Sequence, residues 1–194
     1  MVKSSTPPSI TSVTGGGLTF TQRLISNGST DASLEMWTAP AASALSGVTL
    51  TVNYDATTNA IVLVAFGVNG SIGWDSNAGL PKTASTNSTP WTPSWQLTTD
   101  QSDDFIIYAA GGGTTLGSTP AAPTGFSSID GSSIFGNFRF AALSVNYKTV
   151  TSIINDETYA ASASGYGQDT GEAMLDVLTG GTTSSARPRI FLLA

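Results

Sequence analysis

Carboxylates are the only acid–base groups suited to neutral pH that this chain offers. Its 194 residues contain neither histidine nor cysteine. The side chain that titrates nearest neutrality and the thiolate nucleophile are therefore both missing, and most structural zinc sites go with them. Two adjacent acidic pairs stand out, Asp103-Asp104 and Asp156-Glu157. Neighbours on a strand point to opposite faces. Neither pair by itself supplies the facing carboxylates, roughly 5–10 Å apart, that a glycosidase uses. The plainer reading is a set of solvated turn acids. The run Asp100–Asp104 offers oxygens to a hard cation. It lacks the glycine at the sixth position and the glutamate at the twelfth of an EF-hand loop, so a polar hairpin loop is expected there. Serine and threonine hydroxyls abound without an imidazole to activate them. A Ser–Lys pair would need Lys82 or Lys148 buried beside a serine, and nothing in the sequence indicates that. The chain is expected not to be an enzyme, with no catalytic residue, cofactor site or metal site assigned.

Aromatic and apolar side chains are the better candidates for contact. Trp74, Trp91 and Trp95, with Tyr108, form the main aromatic set. On an extended segment Trp91 and Trp95 share a face roughly 13 Å apart. Three uses are open for such residues: core packing, anchoring a protein interface, or stacking on sugar rings. The run Ile190-Phe191-Leu192-Leu193 near the C-terminus would be an aggregation liability if bare. It is either the last strand of its own sandwich or an arm docked on another subunit. Trp74, Trp91, Trp95 and Ile190 to Leu193 are thus the candidate interface or ligand contacts.

These residues need a scaffold, and composition bounds it. The length fits one all-β domain, and a chain of about this size buries roughly 70% of its unfolded surface without staples. Thirteen acidic residues against seven basic ones give a net charge of −6. The basic residues are scattered, whereas nucleic acid requires a clustered positive stripe, so no nucleic-acid partner is expected. Residues 1–9 are polar and carry no apolar signal core. The longest apolar stretches fall far below the roughly 20 residues that span a bilayer, so no membrane partner is expected and the chain reads as soluble.

Hydrophobic periodicity is mostly two. Val48–Tyr54 alternates strictly, with Val48, Leu50, Val52 and Tyr54 on one face. Ala60–Phe66 is apolar throughout and predicts a central strand covered on both faces, paired with the first as a hairpin. Ile10–Thr14 and Leu18–Leu24 flank Gly15–Gly17, which suit a tight reversal. Ser33–Ala39, Trp95–Thr99, Phe105–Ala110, Phe138–Tyr147 and Tyr159–Ser164 complete about ten short strands, the rhythm of a sandwich or barrel. Asn69–Pro93 is expected to be a long loop, functional or mobile. Gly171–Leu178 suits a short helix or a strand, with strand preferred. The fold class expected is all-β, an antiparallel β-sandwich, jelly-roll-like or Ig-like, as a single domain. Residues 1–9 form a polar N-terminal arm, 10–186 the sandwich with the loop at 69–93, and 187–194 a C-terminal strand or arm.

Four segments in order carry a resemblance. Ser12-Val13-Thr14 leads to Gly17-Leu18-Thr19-Phe20-Thr21, then Leu34–Ala39 ends in Met36-Trp37-Thr38-Ala39. Val48-Thr49-Leu50-Thr51 and the run from Ala60 to Phe66-Gly67 follow. This resembles a β-sandwich module of tailed-phage virion accessory proteins, of the capsid-decoration or head-fibre type, also found in some secreted bacterial proteins. It covers about the first 70 residues, and the rest agrees only in strand rhythm. The resemblance implies a non-enzymatic structural protein of the virion, assembled in the host cytoplasm. Such a protein decorates or cements the shell through homo-oligomeric contacts and contacts with a major capsid protein. Its alternatives are a carbohydrate- or receptor-binding module of a tail, for which a glycan is the partner, and a bacterial surface adhesin module. One departure is that only Met1–Ser9 precede Ser12-Val13-Thr14, where the pattern has an apolar strand or two. A sheet edge is therefore expected to be covered by another subunit.

Overall fold

The structure is a computed structural model that describes residues 7–30, 32–43, 45–57, 60–77, 79–87, 91–114, 121–136, 139–161, 168–180 and 187–193. Among them every regular element is a strand, so no helix is long and apolar enough to cross a membrane. In chain order the strands are β1 (Ile10–Thr14), β2 (Thr21–Ser26), β3 (Leu34–Pro40), β4 (Thr51–Tyr54), β5 (Val64–Trp74), β6 (Lys82–Thr86) and β7 (Ser94–Leu97). They continue with β8 (Asp104–Thr114), β9 (Ser127–Gly136), β10 (Arg139–Val150), β11 (Glu157–Ala160), β12 (Gln168–Gly180) and β13 (Arg187–Leu193). All described pairings are antiparallel.

One large sheet runs β2-β3-β13-β5-β12-β8-β10-β9, with β6 also paired to β12. It bends where β5 meets the end of β12, at Trp74 opposite Leu178 and Ser71 opposite Gly180. Its two halves therefore face each other as a sandwich. Leu34 and Met36 of β3, Val64 and Val68 of β5 and Phe191 and Leu193 of β13 meet Ile107, Ala109, Leu143, Val145, Met174 and Leu178 from β8, β10 and β12. Two small ribbons cover parts of the outer faces. The β1–β4 pair lays Ile10, Val13, Leu50, Val52 and Tyr54 on Ala39 and Leu192. The β7–β11 pair lays Leu97 and Tyr159 on Ile106, Leu175 and Val177. The chain is an all-β sandwich in one domain.

That layering explains why β8 and β12 are apolar on both faces. Strand side chains alternate, so Ile107 and Ala109 enter the central core while Ile106 and Tyr108 enter the core under β7–β11. Strands covered on both faces lose the polar alternation of half-solvated ones. Gly171–Leu178 belongs to β12, so the strand preference holds.

Several expectations need correction. Ala60–Phe66 is not a strand covered on both faces: β5 starts at Val64, and its burial alternates, with Leu63 43% exposed. The expected hairpin with Val48–Tyr54 does not form, because β4 pairs β1 while β5 pairs β12 and β13. The stretch 69–93 is not a long loop, since β5 runs on to Trp74 and β6 occupies Lys82–Thr86. Glycines and short polar residues obscured both. Gly15, Gly16 and Gly17 all have positive φ and make the expected reversal, yet they send the chain from one sheet to another. Residues 1–6 of the arm, and parts of the strands expected at 138–147 and 159–164, lie outside the described residues.

Of the two forms expected for the run Ile190–Leu193, the structure shows the strand of the chain's own sandwich. It forms β13, hydrogen-bonded to β3 on one side and β5 on the other. Phe191 is fully buried, stacked on Phe66 with centroids 4.9 Å apart. Phe191, Leu192 and Leu193 are buried, and the half-buried Ile190 packs with the β1–β4 ribbon, so the run acts in the chain's own core. Phe191→Ala is expected to cost about 3–5 kcal/mol, as for other buried aromatics. The shift in denaturation midpoint, with unchanged slope, measures it. Ile153→Ala, at a side chain that is 60% exposed, should stay within about 0.5 kcal/mol.

Candidate functional site

The tryptophans chosen from sequence separate into two places. Trp74, at the end of β5, has the Arg23 guanidinium over its ring at 4.2 Å and that of Arg189 at 5.6 Å. Phe191 meets it edge-on at 5.9 Å. Trp95 packs edge-on against Tyr108 at 6.0 Å, and Trp91 joins the same apolar cluster with Ala110, Ala161 and Ala173. Trp91 and Trp95 are thus brought together, away from Trp74, and all three are half-buried. Their rings are engaged by the protein's own groups, which leaves little open aromatic face for a sugar to stack on.

The acidic pairs, expected to be solvated turn acids, behave differently, and Asp104 departs from that expectation. Asp103 is exposed while Asp104 is 2% exposed, and Asp156 and Glu157 both lie at the surface. Lys148 binds Glu157 at 3.2 Å and the Tyr159 hydroxyl at 3.1 Å.

The notable polar groups were not singled out from sequence: Glu35, Asp75, Glu172 and Asp176 are all buried. The available signal was their position, because Glu172 and Asp176 share the inward face of β12 with Met174 and Leu178. Each has a dedicated partner. A bulge between Gln22 and Leu24 inserts Arg23 as an extra residue in β2, and bulges re-aim side chains. Arg23 Nε donates to Asp176 Oδ2 at 2.7 Å and Nη2 to Oδ1 at 3.2 Å. Ser26 Oγ donates to Glu172 Oε2, and the Ser29 backbone N–H to Oε1 at 2.7 Å. Burial raises the Asp176 carboxyl above its ordinary range, and Arg23 works against that rise. Burial, reinforced by the positive charge of Arg23, lowers Arg189. Glu35 accepts from the Ile10 N–H, Gln22 Nε2 and Trp37 Nε1, tying the β1–β4 ribbon to β3. These carboxylates act as ties between layers.

Asp104 is different. Its two carboxylate oxygens are buried and accept no hydrogen bond, and the Thr179 hydroxyl is equally without a partner. Burial is the main reason its carboxyl is pushed up to about 6; the Thr99 hydroxyl opposes this, and Asp75 and Asp103 add to it. The Thr99 hydroxyl donates to the Gln101 carbonyl at 3.1 Å, so its proton goes elsewhere. Beside Asp104 lies a cleft of about 230 Å³ bordered by 68–71, 103–105, 149–151 and 178–180. Gly180 closes in here: its N–H donates to the Asp103 carbonyl at 2.8 Å, and a Cβ would overlap that oxygen. Among the described residues, no three of Asp, Glu, His or Cys gather as a metal-binding group.

Two outcomes follow. Arg23→Met keeps much of the packing but strands the Asp176 charge. It should cost about 2–3 kcal/mol, less than the roughly 3–5 of a fully buried pair because Arg23 is partly solvated. Arg23→Met with Asp176→Leu should recover part of that loss, as read from denaturation midpoints. For Asp104 the folded-state pKa lies above the unfolded value of 3.8. The folded state then binds more protons between pH 4 and 6, so its contribution to stability is full below about 4 and lost as pH rises through about 6. In chelator-containing buffer, Tm measured from pH 7 to 5 should gain from this group, and Asp104→Asn should remove that part of the slope. Compared with family models, curated proteins and solved structures, the chain matches none of them.

Proposed function

We propose that this chain is a non-enzymatic structural protein of a tailed-phage virion. In this reading it is a capsid-decoration (cement) or head-fibre subunit that binds copies of itself and a major capsid protein. The observation that carries the reading is where the fold leaves apolar side chains uncovered. The β1–β4 ribbon shields the outer face of β3 and β13, but among the described residues no such ribbon covers the outward positions of β5. Leu63 is 43% exposed just before the strand, Ala65 and Gly67 follow on the same face, and Ile72 is 48% exposed farther along. Leu45 and Val48 add exposed apolar surface beside the Gly16 turn. Exposed apolar side chains along one strand face, interrupted by Asn69, suit a companion protein on an otherwise Ser/Thr-rich exterior, and a standard specific interface buries about 1,200–2,000 Å².

The resemblance supports the same reading. Its four segments fall on β1 with the turn into β2, on β3, on β4, and on the approach to and start of β5, the strands that build and flank this face. The buried carboxylates Glu35, Glu172 and Asp176 are consumed by ties between layers, which suits a stable scaffold.

Sedimentation of the purified chain tests the proposal. The expected result is a discrete oligomer that Leu63→Asp with Ile72→Asp converts to a folded monomer whose Tm no longer depends on concentration, together with many copies per shell in purified particles. A chain that stays monomeric and is missing from particles overturns it. Glycan binding that Trp91→Ala abolishes would favour a carbohydrate-binding module instead.

A further inference from the structure

Three buried oxygens without a donor meet at the end of the β8–β12 ladder. Asp104 and Thr179 are directly opposed in the antiparallel register, which puts their Cβ atoms roughly 4.5–5.5 Å apart on one face. They are 2% and 5% exposed. Neither side chain is hydrogen-bonded to the other or to any other group, although the Thr179 hydroxyl carries a proton and the Asp104 carboxylate is an acceptor. A buried carboxylate is normally paired or bound to a metal. The cationic groups that pair with carboxylates elsewhere are already taken, Arg23 by Asp176 and Lys148 by Glu157. Asp75 and Asp103 deepen the negative potential at Asp104. Both oxygens of Asp75 are fixed by backbone donors, Asn77 N–H at 2.8 Å and Asp100 N–H at 2.9 Å, so this second carboxylate is held in place.

We propose that the Asp104 carboxylate and the Thr179 hydroxyl are the protein ligands of a hard divalent cation of the calcium type, with water completing its shell. The chemistry matches: hard cations take carboxylate and neutral oxygen ligands, and calcium accepts irregular shells of 6–8 oxygens at 2.3–2.6 Å. Asp75 and Asp103 supply field without being required as direct ligands. The cleft bordered by Asp104 and Thr179 is the entry path. The Asp103-to-Gly180 hydrogen bond clamps the two strands beside the site. Asp104 and Thr179 lie on β8 and β12, so the cation would fasten the end of the central ladder.

Titration calorimetry and thermal unfolding of the full chain, stripped with chelator, provide the test, using calcium, with magnesium and sodium as comparators. Calcium is expected to bind and raise Tm in a saturable way. EDTA should reverse the rise, and magnesium should act more weakly. Asp104→Asn should abolish the calcium response while leaving a folded chain whose metal-free Tm is no lower. Thr179→Val should weaken calcium binding roughly tenfold, the lower end of what loss of a supporting group costs a metal site. The absence of calcium heat and Tm shift in the wild-type chain overturns the proposal. So does an equal calcium response in wild type and Asp104→Asn, which would place the ion elsewhere.

Discussion

The seam between β2 and β12 is the constraint on which the sandwich depends. Apolar burial joins the two halves without direction, whereas Glu172 and Asp176 must find partners at fixed points on the facing strand. Arg23, Ser26 and Ser29 supply them across 143 to 153 residues of sequence. Sliding β2 by one residue would strand both charges in the core, at a cost far above that of an imperfect apolar contact. The same seam orders Trp74, because Arg23 reaches Asp176 while lying over its ring. A polar pairing thus sets the register that the surrounding Leu, Val and Phe side chains then fill.

The two ribbons complete this plan differently. The β7–β11 pair buries Tyr108, Tyr159 and Phe126 in a chain of edge-on aromatic contacts. The β1–β4 pair is anchored by Glu35 through donors from three neighbours. Each covers part of the large sheet, and what neither covers remains as the apolar strip along β5.

Fold class, most strand positions and the turn at Gly15–Gly17 were legible in the sequence, because period-two alternation and positive-φ glycines are local signals. Pairing partners were not. That β4 joins β1 and that β13 enters mid-sheet are decided by contacts far apart in sequence, which no local pattern encodes. Strand β6, with its Thr and Ser residues, looks like loop, since its fit comes from lying against β12 and not from its own hydrophobicity. Trp91 and Trp95 were rightly grouped, but their burial depends on Tyr108 and Phe126. The buried acids were not singled out for a different reason: a carboxylate in an apolar strand reads as surface until its partner is known, and Arg23 reaches Asp176 only through a bulge.

Placing β13 between β3 and β5 has a consequence for how the molecule assembles. Among the described residues twelve strands precede it, yet β3 and β5 are joined only through it. Closing the sheet therefore requires β13 to pair on both borders with strands far away in sequence. Such non-local closure makes acquisition of the native state slow. Withdrawal of a fully flanked inner strand must break ladders on both sides at once, so the finished fold should also be slow to come apart.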